Sequence, residues 1–222
     1  MDSIQTKLYL ASADVLADAA LFERLVRTVP RARQEKVRAF RNAQAARLSL
    51  AAGLLLNAAL GDCGLQAGEI RTGEYGKPYF PALPDFHFSL SHSGSMALCA
   101  VSALPLGCDI EQIRGDRLSL AGRFFHPEEC AWLRSLPAGE RQAAFFAIWT
   151  GKESFIKAIG RGLSLPLDSF CVLPGDPPVL RQTADPRPWR LRSFQAGEYA
   201  CALCTQEDAA DAPLVTVALD EL

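Results

Sequence analysis

Four side chains in two short stretches have the types and spacing to do chemistry together. Asp109 and Glu111 sit in Leu-Gly-Cys-Asp-Ile-Glu at 106–111, and Glu153 and Lys157 in Trp-Thr-Gly-Lys-Glu-Ser-Phe-Ile-Lys at 149–157. Side chains alternate faces along a strand, so Asp109 and Glu111 point one way while Cys108 and Ile110 point the other. On a helix, Glu153 and Lys157 are four apart and share a face with Trp149. Carboxylates suit a hard cation such as Mg2+ and lysine suits phosphate oxygens, so the pattern predicts a metal and phosphate site.

The elements that must position these groups follow from periodicity. Residues 7–10 predict a strand, and 14–29 a helix with Leu21, Leu25 and Val29 on one line, ended by Pro30. Residues 31–60 predict one long helix carrying Val37, Phe40, Leu48 and Leu55, with Gly61 as its C-cap. Its first turns hold Arg33, Lys36, Arg38, Arg41 and Arg47, the most cationic stretch of the chain, with Val37 and Phe40 marking a buried side. Residues 70–78 predict a short strand and a turn in which Gly76 permits close approach of the backbone. Residues 86–91 and 96–101 alternate as a hairpin whose turn, 92–95, presents His92. Residues 112–123 are polar, with Arg114, Arg117 and Arg123. Helices are expected over 124–136 and 140–160, the second stopped by Gly160 and Gly162. Gly151 inside it costs about 1 kcal/mol relative to Ala, with no reason visible in the sequence. Residues 163–173, 189–204 and 214–219 are strand-like, with a Pro-rich loop over 174–188. The plan repeats, dividing near Pro105. We therefore expect an α/β (α+β) fold of two similar halves in a pseudo-two-fold arrangement, 1–105 and 106–222, with a ligand site between them.

Composition narrows the function. The chain has 222 residues, 49% hydrophobic and 22% charged, with a net charge of −2, which does not favour nucleic acid as a partner. Residues 1–10 carry charge and lack the apolar run of a signal peptide, and no stretch approaches the roughly eighteen uninterrupted apolar residues of a membrane span. The expectation is a cytoplasmic protein. Seven cysteines, an odd number, predict free thiols. Cys201 and Cys204 form a lone C-x-x-C without a second pair or a nearby histidine to complete a zinc site. Ser91 and His92 are adjacent on an extended chain and point apart, so they do not make a hydrolase pair. Gly-Lys-Pro at 76–78 lacks the spacing of a Walker loop.

Four stretches in register then resemble the 4′-phosphopantetheinyl transferases of the surfactin-synthetase-activating (Sfp) type. They are Tyr-Gly-Lys-Pro at 75–78, Phe-Ser-Leu-Ser-His-Ser at 88–93, Gly-Cys-Asp-Ile-Glu at 107–111 and the Trp149 motif, continued by Gly-Leu-Ser-Leu-Pro-Leu at 162–167. The resemblance implies coenzyme A bound between two similar halves with Mg2+. It also implies transfer of the 4′-phosphopantetheine arm to a serine of an apo acyl or peptidyl carrier protein, releasing 3′,5′-ADP, by a monomer. By resemblance Asp109, Glu111 and Glu153 hold the metal and Lys157 binds the pyrophosphate. Likewise Arg33 and Lys36 meet the 3′-phosphate end, Tyr75, Gly76 and Lys77 the adenine end, and Ser91 and His92 a phosphate. The attacking serine needs a base, and Glu153, acting directly or through a metal-bound water, is the expected one. Arg114, Arg117 and Arg123 would face the acidic carrier. The family's frequent Asp is Ala45 here, and Ser49 stands where Thr is common. A metal-dependent phosphodiesterase or nuclease and a non-catalytic coenzyme A binding module are the alternatives.

Overall fold

Two units with one β–α–β–β plan make up most of the chain. The first contains β1 (Lys7–Ser12), α1 (Ala19–Val26), α2 (Arg31–Ala39), α3 (Ala43–Asp62), the short β2 (Arg71–Thr72) and β3 (Pro78–Tyr79), and the hairpin β4 (His87–Ser93) and β5 (Met96–Ser102). The second contains β6 (Leu106–Gln112), α4 (Ala121–Phe124), α5 (Pro127–Ser135), α6 (Arg141–Ile159), β7 (Cys171–Leu173), β8 (Val179–Arg181), and the hairpin β9 (Arg190–Ala196) and β10 (Tyr199–Thr205). The final strand is β11 (Leu214–Thr216). The computed structural model describes residues 4–222, so residues 1–3 of the N-terminal reading lie outside it.

In each unit the first strand pairs with the second strand of the hairpin, giving the orders β4-β5-β1 and β9-β10-β6. β11 runs parallel to β1 and returns the C-terminal segment to the first sheet. Strand alternation divides the core accordingly. Leu8, Leu10, Leu98 and Ala100 of the first sheet meet Leu106, Cys108, Ile110, Cys201 and Leu203 of the second in one cluster. The opposite faces are covered by helices: Tyr9, Cys99 and Val101 pack with the apolar residues of α3, and Phe155 and Ile156 of α6 pack with Leu191 and Cys204. Among the described residues α3 alone is long and apolar enough to cross a membrane, and 67% of its apolar window is buried in the protein.

The predicted helix over 31–60 is two helices. Phe40 leaves helical geometry, and Asn42 restarts the helix by accepting a hydrogen bond from the Ala45 N–H, the usual role of Asn at an N-cap. Phe40 is consequently 40% exposed instead of buried. The helix also runs past Gly61 to Asp62, and the left-handed residue is Gly64. Asp18 caps α1 in the same way and splits the helix expected over 14–29. Helix 124–136 is broken at His126, where a capping box with Glu129 and Pro127 at the first position start α5. β4 extends to Ser93, so His92 lies on the strand and the turn falls at Gly94. Residues 163–170 form single 3-10 turns before β7, 189–204 is a hairpin turned at Gly197, and the last strand stops at Thr216.

Two motif glycines acquire reasons. A Cβ on Gly107 would overlap the α6 backbone at Ser154, Lys157 and Ala158, so β6 touches α6 directly there. A Cβ on Gly151 would come within 2.8 Å of Val172 Cγ1, which explains a glycine inside α6. The two obstacles differ in kind, since backbone cannot move aside as a side chain can. Gly107→Ala is expected to cost about 3 kcal/mol or more, and Gly151→Ala less, in urea unfolding. Wild-type stability of Gly107→Ala would contradict this packing.

Candidate active site

The sheets meet where β4, an edge strand of the first, lies against β6, an edge strand of the second, and the contact is made by serine hydroxyls rather than by a strand ladder. Ser89, Ser91 and Ser93 alternate on β4 and reach three successive alternate points of β6. Ser89 Oγ accepts from the Cys108 N–H at 3.0 Å. Ser91 Oγ donates to Asp109 Oδ1 at 2.6 Å, and Ser93 Oγ donates to Glu111 Oε2 at 2.7 Å. Ser93 Oγ also accepts from the Gln112 N–H at 3.1 Å.

From α6, Lys157 reaches into this seam. Its ammonium donates to Asp109 Oδ1 at 2.6 Å, to Ser91 Oγ at 3.0 Å and to Cys108 O at 3.3 Å. Burial opposes the charge on Lys157, but Asp109, helped by Cys108 and Glu153, outweighs it and raises the ammonium pKa. The second carboxylate oxygen of Asp109 is buried and has no hydrogen-bond partner among the described residues. Burial, with Asp109 and Glu111 adding to it and Lys157 opposing it, pushes Glu153 up to about 7. Glu111 is raised by burial, against the hydrogen bond from Ser93.

One cavity of about 940 Å³ collects most of the predicted residues: Arg33, Lys36, Gly76, Ser91, His92, Asp109, Glu111, Glu153 and Lys157 all line it. Its two ends differ chemically. One holds the acids and Lys157; the other holds Arg33 and Lys36 of α2, neither of which is in an ion pair among the described residues. Burial lowers the pKa of the Arg33 guanidinium. Burial also lowers His92, against a backbone hydrogen bond, and Lys157 and Lys36 push it the same way. Among the described residues no three acid, histidine or cysteine side chains are gathered as a ready metal cage.

Tyr75 and Lys77 do not line this cavity. Tyr75 is exposed at the β2–β3 turn. Lys77 turns into a neighbouring cavity of about 290 Å³ and donates to Leu106 O at 2.9 Å and Ala158 O at 2.8 Å, joining the first unit to β6 and α6. A long flexible side chain beside Gly76 has two directions open to it, and two carbonyls decide between them. Arg114 and Arg117 line a cavity of about 150 Å³ that shares Glu111 and Trp149 with the large one. Arg123 instead lies over the Phe124 ring at 5.1 Å. Sequence reasoning missed Ser89 and Ser93 as partners of β6, although their alternation with Ser91 was visible. Ser49, noted in the sequence only as standing where Thr is common, lines the cavity with its Oγ buried and without a partner among the described residues.

A 4′-phosphopantetheinyl transferase from Bacillus subtilis is 39% identical over 204 residues, covering 89% of this chain and 91% of its own. The chain belongs to the 4′-phosphopantetheinyl transferase family, of the Sfp type. 4′-Phosphopantetheinyl transferase Sfp from Bacillus subtilis (strain 168) is 35% identical, covering 90% of this chain and 92% of its own. The model of the 4′-phosphopantetheinyl transferase superfamily matches residues 105–204, the stretch that carries β6 and α6. Among solved structures, a holo-(acyl-carrier-protein) synthase from Bacillus anthracis in complex with CoA (3′,5′-ADP) is 22% identical, with a TM-score of 0.40 over 46% of this chain and 94% of that one.

In this arrangement Lys77 is a strut between the halves. Lys77→Met removes two charged hydrogen bonds and is expected to lower unfolding free energy by about 2–3 kcal/mol in a urea titration. A variant as stable as the parent would count against the strut.

Proposed function

We propose that this transferase moves the 4′-phosphopantetheine arm of coenzyme A to a serine hydroxyl of an apo acyl or peptidyl carrier protein, with Mg2+ bound, releasing 3′,5′-ADP. The observation that carries the reading is one cleft with cations at one end, in no ion pair among the described residues, and three acids with a lysine at the other. That spacing of charge suits a ligand with a phosphate at one end and a pyrophosphate at the other.

The residues fit a metal ion: Asp109 offers a buried carboxylate oxygen that lacks a hydrogen-bond partner among the described residues, and Glu111 and Glu153 line the same cleft. Mg2+ is commonly held by one or two carboxylates, waters and substrate phosphates, so a preassembled three-acid cage is not required. Bound by Asp109, Glu111 and Glu153, it would supply charge neutralisation for the pyrophosphate.

The remaining chemistry falls to side chains. Arg33, Lys36 and His92 hold the 3′-phosphate end, and Gly76 admits the adenine side. Lys157, held in place by Asp109 and Ser91, neutralises the pyrophosphate. The carrier serine Oγ attacks the phosphorus bearing the pantetheine, the bond from that phosphorus to the bridging oxygen breaks, and the electron pair leaves with 3′,5′-ADP. Glu153 takes the serine proton. The acidic carrier approaches over Arg114 and Arg117, which stand beside Glu111 at the open end. One chain supplies both walls of the cleft, which supports a monomer. All seven cysteines are free thiols, which supports a reducing, cytoplasmic setting.

Incubating the protein with coenzyme A, Mg2+ and an apo carrier should give the mass gain of one phosphopantetheine on the carrier. Glu153→Gln should abolish that gain while leaving the fold intact. Substantial turnover of the variant at saturating Mg2+ removes Glu153 from the role of base. The double charge reversal Arg114→Glu with Arg117→Glu should raise KM for the carrier several-fold at low salt, with little change in kcat. Added salt should narrow the difference, because the Debye length is only about 8 Å at physiological ionic strength. An unchanged KM removes these arginines from the docking surface.

A further inference from the structure

Next to the proposed base, on the other side of α6, lies a charged pair outside the cleft. Lys152 and Glu129 have fully buried side chains, with Lys152 Nζ at 2.7 Å from Glu129 Oε1. The ammonium also donates to Leu167 O at 2.7 Å and Phe170 O at 2.6 Å, and it sits 4.3 Å from the centre of the Phe170 ring. Glu129 accepts from the Val172 N–H at 2.5 Å through Oε1 and from the His126 N–H at 2.7 Å through Oε2. Three acceptors around one nitrogen require an ammonium, since a neutral amine has only two hydrogens to give. Every carboxylate contact is with a donor, and a carboxyl proton would have no acceptor among them, which favours the ionised acid. The pair is therefore charged, although burial works against the charge on both partners.

A buried ion pair is a poor source of net stability, because desolvation offsets most of the attraction and apolar replacements of like volume are often as stable. What this pair fixes is direction. It clamps α6 to the start of α5 and to the segment 167–172. Neighbouring residues on a helix are about 100° apart, so holding Lys152 outward sets where Glu153 points. Trp149, Glu153 and Lys157 then face the cleft as one row. On the β6 side Gly107 allows α6 so close that a turn of the helix would drive side chains into the strand.

We propose that Lys152 and Glu129 are positioning residues, a buried electrostatic clamp that sets the rotation of α6 so that Glu153 and Lys157 address the pyrophosphate. The inference rests on the transferase reading above. Two variants test it: Lys152→Met with Glu129→Met, which replaces the pair by apolar volume, and Glu129→Gln, which keeps the shape and removes one charge. For each, urea unfolding, affinity for 3′,5′-ADP with and without Mg2+, and kcat and KM for an apo carrier are measured on the full chain.

A clamp predicts a folded protein whose 3′,5′-ADP affinity without Mg2+ stays within about twofold of wild type. The gain in that affinity on adding Mg2+ should be lost, and kcat should fall about a hundredfold at unchanged KM, the scale of a 1 Å misplacement. Either variant folded with wild-type kcat and a wild-type Mg2+ gain overturns the proposal. Failure of both to fold, or loss of all readouts in step with stability, assigns the pair to stability alone and also overturns it. If wild-type protein modifies no carrier, the transferase reading falls, while the Mg2+-dependent gain still decides whether the pair orients α6.

Discussion

The Lys157 ammonium donates to Asp109, Ser91 and the Cys108 carbonyl, and through these contacts it ties α6, β6 and β4 to one point. Among the described residues β4 and β6 share no sheet ladder at this junction. Serines at alternate positions of β4 do the joining instead, so the seam leaves carboxylates of β6 standing at its edge. Asp109 ends with one oxygen committed to Lys157 and Ser91 and the other buried without a partner among the described residues. An oxygen in that state is costly to bury and gains from a bound cation. The fold thus stores at its seam the electrostatic demand that a metal and a pyrophosphate would satisfy.

The rest of the architecture keeps that point in place. Gly107 lets α6 approach the strand, and Gly151 lets β7 approach α6 from behind. Lys77 crosses from the first unit to carbonyls of β6 and α6, so the walls of the cleft are braced on the side away from the acids. The cationic end is built differently. Arg33 and Lys36 sit on a short helix whose break at Phe40 sets it at its own angle to α3. In the helix over 31–39 Val37 is the buried residue. The cations ride on a helix whose Arg33 side chain lies against Gly53 of α3, whereas the acids are positioned by packed backbone.

Relatives at 39% and 35% identity over about nine tenths of the chain match what the motifs implied about family. The pattern of acids on β6 and α6 was legible because period-2 and period-3.6 spacing fix which side chains share a face. The helix breaks were less legible. Asp18, Asn42 and His126 each accept a backbone hydrogen bond at a new helix start, and a local cap of this kind interrupts an apolar pattern without changing its period. The β4 turn was misplaced for a related reason: His92 and Ser93 look like turn residues until β6 supplies partners for the Ser93 hydroxyl.

By itself the sequence determined the family, and the facing of Asp109 with Glu111 and of Glu153 with Lys157. These are local properties, set by motif order and by the geometry of one strand or one helix. Only the tertiary structure decided that the two pairs meet, because their meeting depends on a backbone contact at Gly107 and on hydroxyls from a third strand. It also decided that Lys77 braces the halves, that Gly151 makes room for Val172, and that Lys152 finds Glu129. A long side chain's direction is chosen by acceptors from distant parts of the chain, and one-dimensional spacing carries no information about where those acceptors will lie.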